Sequence, residues 1–385
     1  MSALVVRQTS CGEVTVAEAA RRAKVSEQSV GNWKRAFLEA GNTGLAAGES
    51  GPSTRRCALQ GTPRARLFIV TAPMNGWAVD PCLGAPFEAR PLGDATLVRS
   101  TASPPAPRGV VLHLHGYNDY FFQDHLARAV EAAGFAFFAV DLRRCGRSLR
   151  EGDVPHYMTD LLDQAGDLSR AARAVRTAHP GLPLVLHAHS TGGLLAALWA
   201  HAHRNHGTID ALVLNSPFLD LRSSWLNRTV GTRILDVVGP WSPLAVVGSG
   251  PSVYATHQLA ANGGRWEFDT HLKRPEGVPI RAGWLRAVRR GQARVARGLE
   301  IGVPVLVAHS DSSGSDVETN PHLDAQDTVL DVAQIARLAP RLGADVSTAV
   351  IDGGVHDLVL SADGPRAAYL DGTVAWLDRA LGGRA

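Results

Sequence analysis

The sequence predicts a mixed α/β fold with a mainly parallel, doubly wound sheet, an inserted helical cap and a small helical segment at the N-terminus. From about Phe87 onward, short β-like apolar runs alternate with longer helical patterns, and three strand-to-helix units follow one another directly. The alternation breaks between Asp220 and Ile301 and then resumes. A stretch of that length is too long for a loop, so we interpret it as a cap inserted into the sheet domain.

The predicted elements follow in a regular order along the body of the chain. Strands are short runs rich in Val, Leu, Ile and Phe, and helices are longer stretches with a period of 3.6 residues. The predicted strands are 110–114, 135–140, 182–187, 211–214, 304–308 and 346–351. The predicted helices are 122–134, 161–179, 192–204, 281–298, 330–341 and 365–381.

These patterns divide the chain into five segments. A helix-turn-helix-like segment occupies residues 1–55, and a linker with a lead-in to the sheet follows over residues 56–86. The sheet domain comes in two parts, because the cap interrupts it. Its first part is predicted over 87–221, the cap over 222–302 and its second part over 303–385.

Composition excludes several classes of protein. Hydrophobic residues make up 45% and charged residues 19% of the 385 positions, which excludes a mainly disordered chain. No run of about 18 apolar residues occurs, so no membrane span is expected. The N-terminus lacks the features of a secretory signal, which predicts a cytoplasmic location. Four cysteines without CxxC spacing predict free thiols rather than a zinc site.

The segment Val185–Gly193 predicts a strand that ends on a serine and turns at once into a helix. A nucleophilic serine in such an elbow sits on a strained turn, and small residues two before and two after it keep strand and helix apart. Here those residues are Ala188 and Gly192, and Ala188 exceeds the usual glycine by one methyl group. Ser190 is therefore the candidate nucleophile. The alternative is that it only caps the following helix.

An oxyanion hole needs two backbone N–H groups aimed at the oxygen that gains negative charge. Thr191, directly after the candidate nucleophile, is expected to supply the first. Tyr117 is expected to supply the second, because the strand before it ends in His115-Gly116. The alternative is that His115-Gly116 is an ordinary turn leading into a helix.

His356 is the candidate general base. The elbow resembles that of the α/β-hydrolases, in which the acid and then the histidine follow the nucleophilic serine in the chain. His356 lies in the glycine-containing loop Asp352–Asp357, after the last predicted strand. The histidines that flank the candidate site are expected to be structural and to bond mainly with neighbouring backbone; they are His113, His115, His187 and His189.

Four segments together resemble the monoacylglycerol lipase, lysophospholipase and serine aminopeptidase branch of the α/β-hydrolases. They are Leu112–Tyr117, Asp141–Ser148, the Ser190 elbow and the His356 loop, and the resemblance spans about residues 87–381. It implies an α/β-hydrolase fold with a cap between the sixth and seventh strands that forms the acyl pocket. It also implies a structural role for the turn residues Asp141, Arg143, Gly146 and Ser148.

The catalytic acid departs from the family pattern. The family has His-Gly-x-x-Asp after the seventh strand, whereas His309–Ser313 places a serine where the acid belongs. After a hydrophilic insertion, Asp327 and Asp331 resemble the family's Asp-x-x-x-Asp at the start of the next helix. The resemblance thus implies that Asp327 is the triad acid and that Asp331 caps the helix. Asp311 is the alternative acid, since it lies closest to the strand end.

Residues Val16–Arg35 have the spacing of a helix-turn-helix, with Ser26 capping a second, basic helix. Up to residue 55 the segment resembles the DNA-binding N-terminus of insertion-sequence transposases, but no catalytic transposase sequence follows. Two function classes compete: an enzyme with a relic or mis-joined helix-turn-helix, or a DNA-binding regulator whose hydrolase-like body senses a ligand. The Ser/Asp/His set with both oxyanion positions favours the enzyme. Nucleic acid is therefore not the expected partner.

The expected reaction is cleavage of a carboxylic ester or lactone of a small apolar substrate, with aminopeptidase or amidase activity as the alternative. No cofactor or metal is expected, and the oligomeric state stays open. Apolar and Trp side chains in the cap predict a hydrophobic, aromatic-lined pocket, unless they only pack the core of the cap. These residues are Trp225, Leu226, Trp241, Leu244, Trp266, Trp284 and Leu285.

Overall fold

The structure is a computed structural model that describes residues 76–222, 241–248 and 252–382. The predicted helix-turn-helix, most of the predicted linker, and the cap residues Trp225 and Leu226 lie outside these ranges. Within them, no helix combines the length and the apolar content that a membrane crossing requires. Of the four cysteines, Cys82 and Cys145 are described, and both are free thiols as expected.

A nine-stranded sheet forms the centre of the described chain. The strands, including a separate pair, are β1 (Ala78–Val79), β2 (Phe87–Leu92), β3 (Ala95–Ser100), β4 (Val110–Leu114), β5 (Ala136–Asp141), β6 (Leu184–His189), β7 (Ala211–Asn215), β8 (Val246–Gly248), β9 (Ile280–Arg281), β10 (Val305–Ser310) and β11 (Val346–Ile351). The order in the central sheet is β1-β2-β3-β5-β4-β6-β7-β10-β11. The pairs β1-β2, β2-β3 and β3-β5 are antiparallel. All other neighbouring pairs of this sheet are parallel.

Helices cover both faces of this sheet. The helices of the described residues are α1 (Asp124–Ala132), α2 (Leu161–Ala178), α3 (Ser190–Ala202), α4 (Val253–Gln258), α5 (Ala282–Ala296), α6 (Val332–Leu338) and α7 (Asp363–Gly382), of which α4 and α5 lie in the segment between β7 and β10. Successive side chains of a strand point to opposite faces. In β4, Leu112 belongs to the cluster under α2 and α3, whereas Val111 belongs to the cluster under α1 and α7. The predicted doubly wound α/β-hydrolase fold is thus present.

Between β7 and β10 the chain leaves the sheet. We propose that residues 222–302 form the cap, and we use that name for the described residues of this range. In it, β8 and β9 pair with each other, and α5 packs against α2 and α3. Trp284 and Val288 of α5 are buried in the same cluster as the core helices. Gly291 allows the close approach, since a Cβ there would lie 2.7 Å from Leu161 Cδ1.

The turn after β5 is a buried ionic junction. Arg147 is almost fully buried and pairs with both Asp80 and Asp141. Asp141 also accepts hydrogen bonds from the Phe121 and Arg147 amides, and a Cβ on Gly146 would clash with its carboxylate. These contacts agree with the structural role that the resemblance implies for the turn.

Candidate active site

Ser190 is the first residue of α3 and follows β6 directly, at a φ of +51°. A residue with a side chain rarely adopts this conformation, so the turn stores strain. The turn is also crowded, because a Cβ on Gly192 would lie 2.2 Å from the His115 carbonyl oxygen. His189, not Ser190, is the N-cap residue of α3. Ser190 therefore sits on the strained strand-to-helix turn that the sequence predicts, and it does not serve as the helix cap.

His356 connects Ser190 with Asp327. Its Nε2 lies 3.0 Å from Ser190 Oγ, and its Nδ1 lies 3.0 Å from Asp327 Oδ2. A carboxylate can only accept, so the ring proton belongs on Nδ1 and Nε2 accepts from the serine hydroxyl. All three side chains are buried. The structure thus brings together the nucleophile, base and acid that the sequence predicts.

Asp327 is held as a carboxylate although it is fully buried. Burial by itself raises its pKa, but the electrostatic interaction with His356 and their hydrogen bond outweigh this effect, and the net pKa lies below its usual value. The Val329 and Leu330 amides also donate to Asp327 Oδ1, at 2.9 and 2.7 Å. In a serine–histidine–acid triad, the acid must be ionised to stabilise the imidazolium.

The other two candidate carboxylates have different contacts. Asp311 is exposed and accepts a hydrogen bond from the Gly353 amide at 3.0 Å, so it ties β10 to the His356 loop without touching the imidazole. Asp331 accepts from the Ala333 amide as the N-cap of α6. The predicted cap role of Asp331 is confirmed.

The two predicted oxyanion donors lie next to Ser190. Thr191 is in the first turn of α3, where an amide has no carbonyl acceptor one turn earlier. Tyr117 follows Gly116, which packs so tightly on the elbow that a Cβ there would lie 3.0 Å from Ser190 Cβ. The loop after β4 is therefore held directly against Ser190.

The flanking histidines fall into two groups. His115 donates to the Gly116 carbonyl and accepts from the Leu142 amide, and His189 bonds the Asn215 carbonyl, as expected for structural imidazoles. His113 and His187 instead bond each other at 2.9 Å through their Nδ1 atoms, and His187 also bonds Tyr369. The expectation of mainly backbone partners is wrong for this pair, because both side chains point into the core rather than toward a turn.

Sequence reasoning missed a buried polar network beside His356. The Asp357 carboxylate accepts from Asn215 Nδ2 at 2.7 Å. Burial opposes its ionisation, but the interactions with His189 and the Lys273 ammonium and the bond from Asn215 lower its pKa to about 2. The Asp357 amide donates to the hydroxyl of Tyr254, a cap residue whose ring meets the His356 ring edge-on. The local signal was only that Asp357 directly follows the candidate base.

One group of described residues has ligand-like spacing for a metal ion. Asp119, His189 and Asp357 are buried, with ligand atoms within 4.8 Å of one another. The Lys273 ammonium, however, already lies 3.0 Å from Asp119, and the Asn215 amide already donates to Asp357. Because a resident cation and donor satisfy these carboxylates, we assign no metal to the group.

The cap side chains predicted to line a pocket are distributed differently. Trp284 is buried and its ring lies 4.2 Å from that of Tyr117, next to the candidate site. Trp266 instead bonds the Leu360 carbonyl, and Trp241 is 89% exposed. Of the described residues in that prediction, Trp284 therefore fits an aromatic wall beside the site best.

Comparison with known proteins gives consistent matches. A family model described as serine aminopeptidase, S33, matches residues 105–363. The monoacylglycerol lipase of Mycolicibacterium smegmatis is 26% identical over 279 residues, covering 70% of this chain and 88% of that protein.

Solved structures show the same fold. A soluble variant of monoglyceride lipase from Saccharomyces cerevisiae, in complex with a substrate analogue, has a TM-score of 0.58 at 18% identity, over 76% of this chain and 93% of that one. A carboxyl esterase from Bacillus coagulans, in complex with glycerol, has a TM-score of 0.54 at 16% identity, over 77% and 99%. At these identities the likeness concerns the fold.

Proposed function

The chain belongs to the serine aminopeptidase S33 family of α/β-hydrolases, in the branch that includes monoacylglycerol lipases, and from this premise we propose that it hydrolyses carboxylic esters or lactones of apolar acids. The observation that supports this most is the hydrogen-bonded chain from Ser190 through His356 to Asp327, with 3.0 Å at each step. A relative named as a lipase and a structural neighbour named as a carboxyl esterase favour ester substrates.

The proposed reaction proceeds through an acyl-enzyme. His356 Nε2 takes the hydroxyl proton as Ser190 Oγ attacks the carbonyl carbon, and the Tyr117 and Thr191 amides stabilise the oxyanion. The tetrahedral intermediate collapses, and the alcohol leaves with the proton from His356. Water activated by the same imidazole then releases the acid and restores the Ser190 hydroxyl. Every step uses groups of this chain, so we propose no cofactor.

Asp327 contributes by fixing the tautomer. Its carboxylate accepts from Nδ1, which leaves Nε2 free to take the serine proton. It also stabilises the imidazolium, and because both side chains are buried, their charge interaction is stronger than in solution. Because the pKa of Asp327 is lowered, this partner is ionised at neutral pH.

The substrate class is tested by a screen of purified full-length protein. We expect hydrolysis of p-nitrophenyl esters, with a preference among acyl lengths, and inactivation by a fluorophosphonate. A macrocyclic lactone tests whether ring opening also occurs. Absence of both ester and lactone hydrolysis, with no fluorophosphonate labelling, contradicts the proposal.

Amide hydrolysis is the second candidate, because the matching family model is named for serine aminopeptidases. The same acyl-enzyme chemistry accommodates an amine leaving group if His356 protonates it. An aminoacyl p-nitroanilide, assayed beside the esters, distinguishes the two. A higher kcat/KM on the anilide than on every ester would make peptidase activity the main function.

A further inference from the structure

The loop that carries one proposed oxyanion donor is bonded to the cap at four consecutive residues. This loop, Tyr117–Tyr120, follows β4 and meets the cap segment Asp269–Pro279. At its two ends, the Tyr117 hydroxyl donates to the Pro279 carbonyl at 3.2 Å, and the Tyr120 hydroxyl accepts from the Asp269 amide at 2.9 Å.

Asn118 forms a two-way bond to the cap backbone. Its Nδ2 donates to the Arg274 carbonyl at 2.8 Å, and its Oδ1 accepts from the Arg274 amide at 2.9 Å. Asn118 also has a φ of +52°, a conformation that asparagine tolerates better than most residues. Both the side chain and the backbone preference of Asn118 therefore suit this position.

Asp119 forms a buried ion pair with the cap. Lys273 Nζ lies 3.0 Å from its Oδ1, and both side chains are at most 6% exposed. The ammonium also lies over the Phe122 and Phe268 rings, at 4.8 and 5.5 Å from their centres. The only other lysines of the sequence are Lys24 and Lys34. From residue 35 onward, Lys273 is therefore the single lysine among many arginines.

These contacts act on the residue next to the nucleophile. Gly116 packs against Ser190 on one side of Tyr117, and Asn118 and Asp119 are fixed to the cap on the other. We propose that the cap segment Asp269–Pro279 holds the Tyr117 amide in its oxyanion position, with Asn118 and Lys273 as positioning residues. This inference rests on the proposed function, because it concerns the transition state of that reaction.

The physical consequence is specific to the transition state. A misplacement of about 1 Å in a catalytic group can lower the rate about 10²-fold. Ground-state binding does not depend on the oxyanion position, so KM should change little. A merely structural role would lower the thermal midpoint and leave kcat of the folded protein unchanged.

Three variants and one control test the proposal. Asn118→Gly removes both bonds to Arg274 while it permits the positive φ, and Asn118→Asp keeps the acceptor and loses the donor. Lys273→Met with Asp119→Asn removes the ion pair without leaving a buried charge. Glu276→Gln changes an exposed residue of the same cap segment and is the matched control.

Each folded variant is assayed on one good p-nitrophenyl ester and with a trifluoromethyl ketone of similar acyl chain. The Ser190 oxygen adds to the ketone carbon, the serine proton passes to His356, and the ketone oxygen becomes an oxyanion. The corresponding trifluoromethyl alcohol cannot form this adduct and reports ground-state binding. Circular dichroism and the thermal midpoint establish that the variant is folded at the assay temperature.

We expect kcat to fall about tenfold or more in Asn118→Gly and in the double variant, with a smaller loss in Asn118→Asp. The affinity of these variants for the ketone should fall in proportion to kcat/KM, while their affinity for the alcohol stays at the wild-type value. In Glu276→Gln, kcat and both affinities should equal those of the wild type. Wild-type kcat in the folded variants, or an equal loss of ketone and alcohol affinity, overturns the positioning role. An inactive wild type that a fluorophosphonate does not label overturns the proposed function instead.

Discussion

In the proposed mechanism, His356 acts as a base toward Ser190 only in the tautomer with its proton on Nδ1, which the contact with Asp327 favours. In Asp327→Asn, the amide can donate to Nδ1 and favour the proton on Nε2. We therefore expect kcat to fall by about 10⁴-fold while the fold is retained. Steady-state kinetics on a p-nitrophenyl ester measure this loss.

Asp311→Asn is the matched control for the acid. Asp311 is exposed and accepts from the Gly353 amide, a bond that an amide oxygen can still accept. Its kcat should stay close to the wild-type value. A large loss of kcat in Asp311→Asn, together with wild-type kcat in Asp327→Asn, would mean that the roles of the two carboxylates are reversed.

Single site residues were predictable from the sequence only where a short local pattern marks them. Ser190 and His356 follow from a turn and a glycine-containing loop, and Asp327 follows from a resemblance around it. Lys273 carries no such signal, because it meets Asp119 across 154 positions. The ion pair of Lys273 depends on how the cap packs against the core, which no local sequence pattern specifies.

At the scale of an element, the elbow depends on the absence of a side chain at Gly192. A Cβ there would lie 2.2 Å from the His115 carbonyl, a backbone atom that cannot rotate away. Gly192→Ala should therefore lower the thermal midpoint and displace the loop that carries the Tyr117 amide, with a large loss of kcat. Calorimetry and ester kinetics on the same preparation measure both effects.

Gly372→Ala is the matched control, since Gly372 is also a helical glycine but has nothing within 4 Å of an added Cβ. Alanine has the better helix propensity, so this variant should gain roughly 0.5–1 kcal/mol of stability with unchanged kcat. Equal destabilisation of the two variants would show that crowding at the elbow is not the cause.

Most elements after residue 110 begin and end within a few residues of their predicted bounds, because period and apolar content both favour the observed structure. The antiparallel strands β1 to β3 were not predicted as strands. Part of the reason is that β2 contains Pro91 and charged residues, as sheet edges often do. The helix predicted over 330–341 is shorter, since α6 ends at Leu338 in a turn.

For the whole molecule, buried neutral histidines predict acid-sensitive stability. Burial lowers the pKa of His156 to about 3 and of His187 to about 4, and it also lowers the pKa values of His113 and His189. Below pH 6.5 the unfolded chain binds protons that the folded protein excludes. Stability therefore decreases as the pH falls from about 6.5 toward 4.

His156→Asn isolates one contribution. Asparagine does not titrate and tolerates the φ of +58° at this position. Between pH 7 and pH 5, wild-type His156 should account for about 2 kcal/mol of lost stability, which the variant should not lose. Urea unfolding at the two pH values measures the difference. An identical decrease in both proteins would contradict a neutral buried imidazole at this position.

Residues 1–56 contain none of the candidate site residues, so their deletion should leave kcat/KM on a good ester nearly unchanged. A gel shift with random duplex at low salt should show no tight binding by the full-length protein. Loss of chemistry in a well-folded truncation would mean that the segment shapes the active site. Tight duplex binding would instead support a DNA-binding regulator with a ligand-sensing body.

The proposed nucleophilic role of Ser190 is measured by kcat/KM of Ser190→Ala on one p-nitrophenyl ester. The substitution removes the attacking oxygen and leaves the surrounding hydrogen-bonded framework of Asp327 and His356 in place. We expect a loss of about 10⁴-fold or more with an unchanged circular dichroism spectrum. Turnover like that of the wild type by folded Ser190→Ala would mean that the Ser190 oxygen is not the attacking group.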